Sequence, residues 1–260
     1  MKVTAKKYLG QHFLKDLNIA EKISSSLCFH GSYNEILEIG PGTGVLTKYL
    51  LALPNKNITA IDVDQESVAY LSNHSEFEKL NLIEGDVLRL DLEKIMNSQF
   101  GLIGNFPYNI SSQIFFKVLE YKHVIPEVVC MIQKEVAERI CASEGSKTYG
   151  ILSVLTGAFY ERKILFKVPP QVFDPPPKVD SAVIQLKIKD NPEIPFSQKA
   201  LFRVVKAAFQ KRRKTLRNAL KQINLPLEMQ EDEVLNLRAE QLSIDRFIEL
   251  TAKIELLWKT

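Results

Sequence analysis

Glu35-Ile36-Leu37-Glu38-Ile39-Gly40-Pro41-Gly42-Thr43-Gly44 joins a short apolar run to three alternating glycines. The run suits a buried strand, and Val45, Leu46, Tyr49, Leu50 and Leu53 follow it at helical spacing. A glycine-rich turn between a strand and a helix lets the backbone come close to a nucleoside ligand. The spacing is GxGxG, with Val45 where the dinucleotide fingerprint wants a small residue, so pyrophosphate fits less well. A tight turn that binds nothing is the competing reading.

Further β-rich runs occur at 57–61, 80–83, 102–104 and 127–132, with helically spaced apolar residues between them. This alternation predicts parallel βαβ units covered by helices on both faces, with ligands at the carboxyl ends of the strands. Helices are expected at 134–142 and near 150–160, around a polar loop at 143–148. Runs at 163–168 and 181–188, joined by a proline-dense loop, are expected to form an antiparallel pair that closes the sheet. The segment 190–195, with Pro192 and Pro195, breaks the pattern, and beyond it Ala200, Leu201, Val204, Val205 and Ala208 begin a helical region. The expected architecture is α/β: a Rossmann-like, mostly parallel sheet with an antiparallel last strand in residues 1–194, and a small all-α domain in 195–260.

The composition, 45% hydrophobic and 25% charged over 260 residues, argues against disorder. No apolar run reaches the ~18 residues of a membrane span, and residues 1–14 hold no signal-type apolar core, so a cytosolic protein is expected; a monomer is the expected state. Cys28, Cys130 and Cys141 are far apart among apolar neighbours, which suits buried thiols. His12, His30, His74 and His123 lack ligand spacing, so no metal is implied. Charge is unevenly spread. Residues 1–198 hold 21 basic and 23 acidic residues, whereas 199–221 hold nine basic residues and no acidic one. Lys211, Arg212, Arg213 and Lys214, with Arg217 at helical spacing, are the footprint expected for a phosphate backbone; a solvated helix face is the alternative.

Asp62, 18 residues beyond Gly44, is placed to accept hydrogen bonds from both hydroxyls of a ribose. Asp86 can accept from an adenine amino group while the Val87 amide donates to a ring nitrogen; a common Gly-Asp turn would look the same. Asn105-Phe106-Pro107-Tyr108 is the most specific feature. The exocyclic amine of adenine is a poor nucleophile because its lone pair is conjugated with the ring. The Asn105 side-chain oxygen and the Phe106 carbonyl, converging on the amine hydrogens, would draw the nitrogen toward tetrahedral geometry and free that lone pair for a methyl sulfonium. Pro107 fixes the backbone and the Tyr108 ring can stack on the base. Phe173, beside three prolines, is either a second stacking ring for an extruded base or a core residue.

Together with Gly10-Gln11-His12-Phe13-Leu14, Gln133 to Ala137, Phe173 to Ala182 and Phe209 to Leu220, these residues resemble the ribosomal RNA adenine dimethyltransferase family, in particular its bacterial small-subunit group. The resemblance implies a class I methyltransferase fold. It also implies S-adenosylmethionine as cofactor and, as substrate, the N6 amines of two adjacent adenosines near the 3′ end of 16S ribosomal RNA in a small-subunit precursor. By the same resemblance His12 and Leu14 join Gly40, Gly42, Asp62, Asp86 and Asn105 around the cofactor. His12 stands where asparagine is frequent, Asp62 where glutamate is usual and Phe106 where leucine is commoner. Competing readings are a large-subunit adenine methyltransferase of the antibiotic-resistance type, a DNA adenine methyltransferase, a non-catalytic nucleic-acid-binding assembly factor and an NAD-dependent oxidoreductase.

Overall fold

The computed structural model describes residues 3–190, 194, 196–225 and 227–258. Chain order begins with β1 (Phe13–Leu14), α1 (Leu17–Ser24), β2 (Glu35–Ile39), α2 (Thr47–Leu51) and β3 (Asn57–Asp62). It continues through α3 (Gln65–Ser72), β4 (Asn81–Glu84), α4 (Leu92–Met96), β5 (Phe100–Asn105), α5 (Ser111–Glu120), β6 (Glu127–Gln133), α6 (Lys134–Ile140) and α7 (Ile151–Phe159). The remainder is β7 (Tyr160–Val168), β8 (Phe173–Asp174), β9 (Ser181–Ile188), α8 (Gln198–Gln210), α9 (Leu216–Ala219) and α10 (Ile244–Trp258), with short 3-10 turns between the last helices.

Seven strands form one sheet in the order β4-β3-β2-β5-β6-β9-β7. The pairs β2–β3, β2–β5, β3–β4 and β5–β6 are parallel, and β6–β9 is antiparallel. The sheet carries the expected architecture, with β9 as the antiparallel strand. Ile36, Ile58, Ile103, Val129 and Val183 share one core cluster with Ala20 and Ile23 of α1 and Leu50 of α2. Their strand neighbours Leu37, Leu102, Val128 and Ile184 are also buried, so both faces are covered and the strands read as continuous apolar runs. Cys130 is buried and Cys141 half-buried, but Cys28 is exposed, which corrects the expectation of three buried thiols. β1 pairs with β8 outside the main sheet, Leu14 opposite Phe173.

The chain divides into two compact units, one of residues 1–137 and 161–188, the other of 138–160 and 189–260. This differs from a boundary at 194/195, where residues 191–193 and 195 lie outside the described residues. The reason lies in α7, whose residues from Leu152 to Phe159 are all buried. A helix apolar on every side needs partners all round, and α7 packs with α8 and α10. The Tyr149 hydroxyl donates to the Leu242 carbonyl (2.9 Å) and the Gly145 amide to the Glu240 carbonyl (2.7 Å), tying the loop before α7 to the same helical unit.

The glycine turn is built as its sequence requires. Gly44 has φ +78°, and a Cβ there would lie 2.3 Å from the Phe77 ring and 2.9 Å from Leu71. Gly44→Ala therefore combines a left-handed backbone with an overfilled core, each costing about 1–3 kcal/mol. Denaturant unfolding is expected to show a loss of about 2–6 kcal/mol; a variant as stable as the parent would contradict this role for the turn.

Candidate active site

Parallel β2, β3 and β5 end on the same side of the sheet, and the order of crossover connections reverses between β2 and β5. That reversal opens a crevice where helices leave in opposite directions. The cleft there is lined by Gly40 and Gly42 from the turn, Asp62 and Val63 at the end of β3, Asp86 and Leu88 after β4, and Asn105 to Ile110 at and beyond the end of β5. Leu9 to Phe13, from the segment before β1, complete the wall. The structure thus brings together Gly40, Gly42, Asp62, Asp86, Asn105, Phe106, Pro107, Tyr108 and His12. Phe173 does not join them. It is fully buried in the core with Leu14, held there by the β1–β8 pairing, so its role as a stacking ring for a base is corrected to a packing role. The Val87 side chain is buried, which leaves only its backbone amide for the expected role, and Leu14 lines a small adjoining pocket with Glu38, Gly40 and Asn105.

Each polar group in the cleft has a local reason for its orientation. Asp62 is buried; one carboxylate oxygen accepts from the Gly42 amide (3.2 Å) and the other from the Asp64 amide (2.9 Å), which fixes the plane and leaves a lone pair on each oxygen. Burial raises its pKa above the usual carboxylate range. Asp86 accepts from the Leu88 amide (3.0 Å) and pairs with the exposed Arg89 side chain (3.3 Å). Between these acids, Val63 and Leu88 present apolar surface to the cleft, and Val63 is 51% exposed although aliphatic. Two acceptor carboxylates flanked by apolar faces fit a nucleoside, with ribose hydroxyls as donors and a base plane to cover. Val63 and Leu88 were not legible as site residues, because an isolated aliphatic residue carries no chemical signal.

The Asn105 side chain donates from Nδ2 to the His12 carbonyl oxygen (2.9 Å). Its Oδ1 is buried and, among the described residues, accepts no hydrogen bond. The two facts are linked, because turning the amide over would set oxygen against oxygen. His12 is itself fixed, its ring Nδ1 donating to the Pro175 carbonyl (2.7 Å). The Tyr108 ring lies 5.2 Å from the His12 ring, and its hydroxyl is hydrogen-bonded to Ser181. Burial raises the Tyr108 pKa, keeping that hydroxyl neutral. Phe106 is fully buried and its amide donates to the Met131 carbonyl (3.0 Å), extending the β5–β6 ladder past the strand end.

The segment before β1 is strapped to the sheet at several points. Lys6 pairs with Asp64 and with Glu66 (3.3 Å), and Gln11 donates to Asp64 (3.0 Å). Burial opposes ionisation of Asp64, but the hydrogen bonds from Lys6 and Gln11 hold its pKa below the usual range. Lys6 is thereby engaged within the protein.

The basic segment is not one helix face. α8 ends at Gln210, Lys211 leaves helical geometry at φ −117° and ψ 50°, and α9 begins only at Leu216, so the helical spacing to Arg217 is a coincidence of sequence. Within the helical unit Arg212 donates to Glu240 (2.8 Å) and to the Ser146 carbonyl (3.3 Å). Arg217 donates to the Gln230 carbonyl and to Asn236 (3.1 Å). Lys211, Arg213 and Lys214 are exposed, and their side chains have no ionic or hydrogen-bond partner among the described residues.

Residues 2–254 match the family model described as ribosomal RNA adenine dimethylase. A protein of Flavobacterium johnsoniae named ribosomal RNA small subunit methyltransferase A is 54% identical over 255 residues, covering 98% of this chain and 97% of its own length. Its namesake from Cytophaga hutchinsonii is 54% identical over 250 residues, covering 96% and 97%. A solved dimethyladenosine transferase from Plasmodium falciparum superposes with a TM-score of 0.80 at 26% identity, covering 95% of this chain and 98% of that one.

Glu38 was missed as a site residue because its acidity depends on burial. It is 1% exposed beside the turn, accepts from the Thr47 hydroxyl (2.8 Å), and lines the small pocket next to Asn105. Burial pushes its carboxyl up to about 8; the Thr47 hydrogen bond opposes this and the Asp62 charge adds to it. Folding therefore favours the protonated form. Stability from this group is complete below the ordinary glutamate range and is lost as pH rises through about 8. In ligand-free protein, Glu38→Gln is expected to flatten the fall in stability between about pH 5 and 9 and to be more stable than the parent at about pH 9, by a few kcal/mol at most. Asp62 acts with the same sign, so some slope remains. Parallel pH profiles from denaturant unfolding of the two proteins would refute the assignment.

Proposed function

The chain belongs to the ribosomal RNA adenine dimethylase family, and we propose that it dimethylates the N6 amines of two adjacent adenosines near the 3′ end of small-subunit ribosomal RNA. It is an S-adenosylmethionine-dependent methyltransferase. The cofactor, when bound, supplies an electrophilic methyl group on a sulfonium. Asp62 and Asp86 would hold its ribose and adenine, Val63 and Leu88 would cover the base, and the Gly40–Gly42 backbone would allow close approach. His12 and the small pocket beside Leu14 and Glu38 lie next to this wall.

The observation that carries the reading is the buried, unpartnered Asn105 Oδ1. A buried acceptor left unmade costs about 1–3 kcal/mol, and an incoming amine hydrogen would relieve that cost. Asn105 would accept one N6 hydrogen while the Phe106 carbonyl accepts the other, pulling the nitrogen out of conjugation. Tyr108 would stack against the base and, held by Ser181, keep its plane. A non-catalytic assembly factor has no use for an acceptor held in this way. The large-subunit reading is disfavoured by relatives 54% identical that are named for the small subunit. Asn105→Ala is expected to lower single-turnover methyl transfer into unmethylated small subunits by roughly 100-fold, in the range for losing one preorganised group. Cofactor affinity should fall much less. A folded variant with the parent's rate would remove Asn105 from the chemistry.

Lys211, Arg213 and Lys214 are the proposed phosphate-binding residues of the helical unit; Arg212 and Arg217 are assigned to holding that unit together. Neutralising the three free side chains is expected to reduce the log–log salt slope of subunit binding by roughly 0.7–0.9 for each phosphate that is no longer neutralised. Arg212→Ala should instead cost up to about 1 kcal/mol of stability, the scale of a partly exposed pair. An unchanged slope in the triple variant would place the RNA grip elsewhere. A cytosolic monomer acting on a small-subunit precursor completes the proposal; no described helix is long and apolar enough to cross a membrane.

A further inference from the structure

Tyr8 is the most exposed large hydrophobic residue among those described, at 76%. It lies in the 3-10 helix Lys7–Leu9, none of whose residues is buried. Burial therefore does not account for the ring, yet the backbone around it is held firmly. The Tyr8 carbonyl accepts from the Asn109 side chain (3.3 Å), and Asn109 is two residues past Pro107 of the Asn105 motif. On one side, Lys6 is paired with Asp64 and Glu66; on the other, Leu9 and Gly10 line the cleft. Lys7 is exposed, and its side chain has no ionic or hydrogen-bond partner among the described residues. Adjacent lysines thus differ: Lys6 fastens the strap, and Lys7 stands free beside a free aromatic ring.

A solvent-facing ring on an anchored backbone beside the residues that line a cleft, next to an unused cation, has the two components by which proteins hold single-stranded nucleic acid: a stacking face for a base and a positive charge for the phosphate. An adenosine delivered to Asn105 drags its chain neighbours past this rim, because the backbone cannot follow the base into the cleft. We infer that Tyr8 is the stacking platform for a nucleotide flanking the target adenosine, with Lys7 contacting the adjoining phosphate. This rests on the reading of the cleft as an adenosine methylation site. The platform holds the strand while Asn105 and Tyr108 act on the base, so its effect belongs to RNA binding rather than to the transfer step.

The test is methyl transfer from labelled S-adenosylmethionine into unmethylated small ribosomal subunits by wild type, Tyr8→Ala, Tyr8→Phe and Tyr8→Leu. Cofactor affinity is measured by calorimetry on each. Stacking losses of this kind run at about 5- to 150-fold per base. Tyr8→Ala and Tyr8→Leu are expected to raise the KM for subunits by that factor, with Tyr8→Phe near wild type, cofactor affinity unchanged and kcat at saturating subunits within a fewfold. Lys7→Gln should reduce the salt slope of subunit binding by roughly 0.7–0.9. An unchanged KM in Tyr8→Ala overturns the inference. Rescue by leucine as complete as by phenylalanine also overturns it, since apolar contact with a ribosomal protein would then suffice. Equal loss of cofactor affinity does so too, because the ring would then be supporting the cleft wall. If wild type itself transfers no methyl group to adenosine, the reading of the cleft fails; if it does and the variants behave alike, only the platform fails.

Discussion

Strands β2 and β5 are separated by more than sixty residues in the chain but lie side by side in parallel register, Glu38 opposite Ile103. The approach is unusually close at Gly104, where a Cβ would lie 2.4 Å from the Ile39 carbonyl oxygen. That closeness has a chemical consequence. Gly40 follows one strand and Asn105 ends the other, so the glycine turn that admits a cofactor and the amide that addresses a substrate open into the same crevice. A parallel sheet supplies the juxtaposition because its strands all discharge at one edge.

From this juncture the strap before β1 acquires its purpose. It covers the cleft, and its His12 carbonyl also decides which end of the Asn105 amide faces inward. The strap is in turn tied to Asp64, which caps α3 two residues after Asp62. The group that would hold a ribose and the group that would polarise an amine are therefore connected: Asp62 accepts from the Asp64 amide, Asp64 accepts from the Gln11 side chain, and the next residue in the chain, His12, accepts from Asn105 through its carbonyl. Chains of this kind orient acceptors at no reorganisation cost during reaction, which is where electrostatic preorganisation has its largest effect.

Much of this was legible in the sequence. Periodicity located the seven strands of the main sheet and part of the helices but not the short β1–β8 pair or α1, and the glycines, Asp62, Asp86 and Asn105 carried signals tied to definite chemistry. The illegible parts share a cause: each depends on a distant partner. Phe173 beside three prolines reads equally well as a ring for a base or as a core residue, and only the pairing of β8 with β1 decides for the core. The apolar run of α7 indicates burial but not against what, so its membership in the helical unit could not be foreseen. Glu38 looked like an ordinary strand acid until its burial beside Asp62 was visible.

The basic segment shows the same limit for charge. Counting placed nine cations between residues 199 and 221 with no acid among them, which indicated an excess without showing where it was spent. Arg212 uses its guanidinium on Glu240 and the Ser146 carbonyl, and Arg217 uses its own on Gln230 and Asn236. Both are planar donors matched to fixed acceptors, the task to which arginine is better suited than lysine. Lys211, Arg213 and Lys214 lie on the loop after α8 with their charges still directed to solvent. Lys6 and Lys7 repeat the division within two residues, one fastening the strap and the other left free. In both places the cation available to a phosphate is the one that folding has not already used.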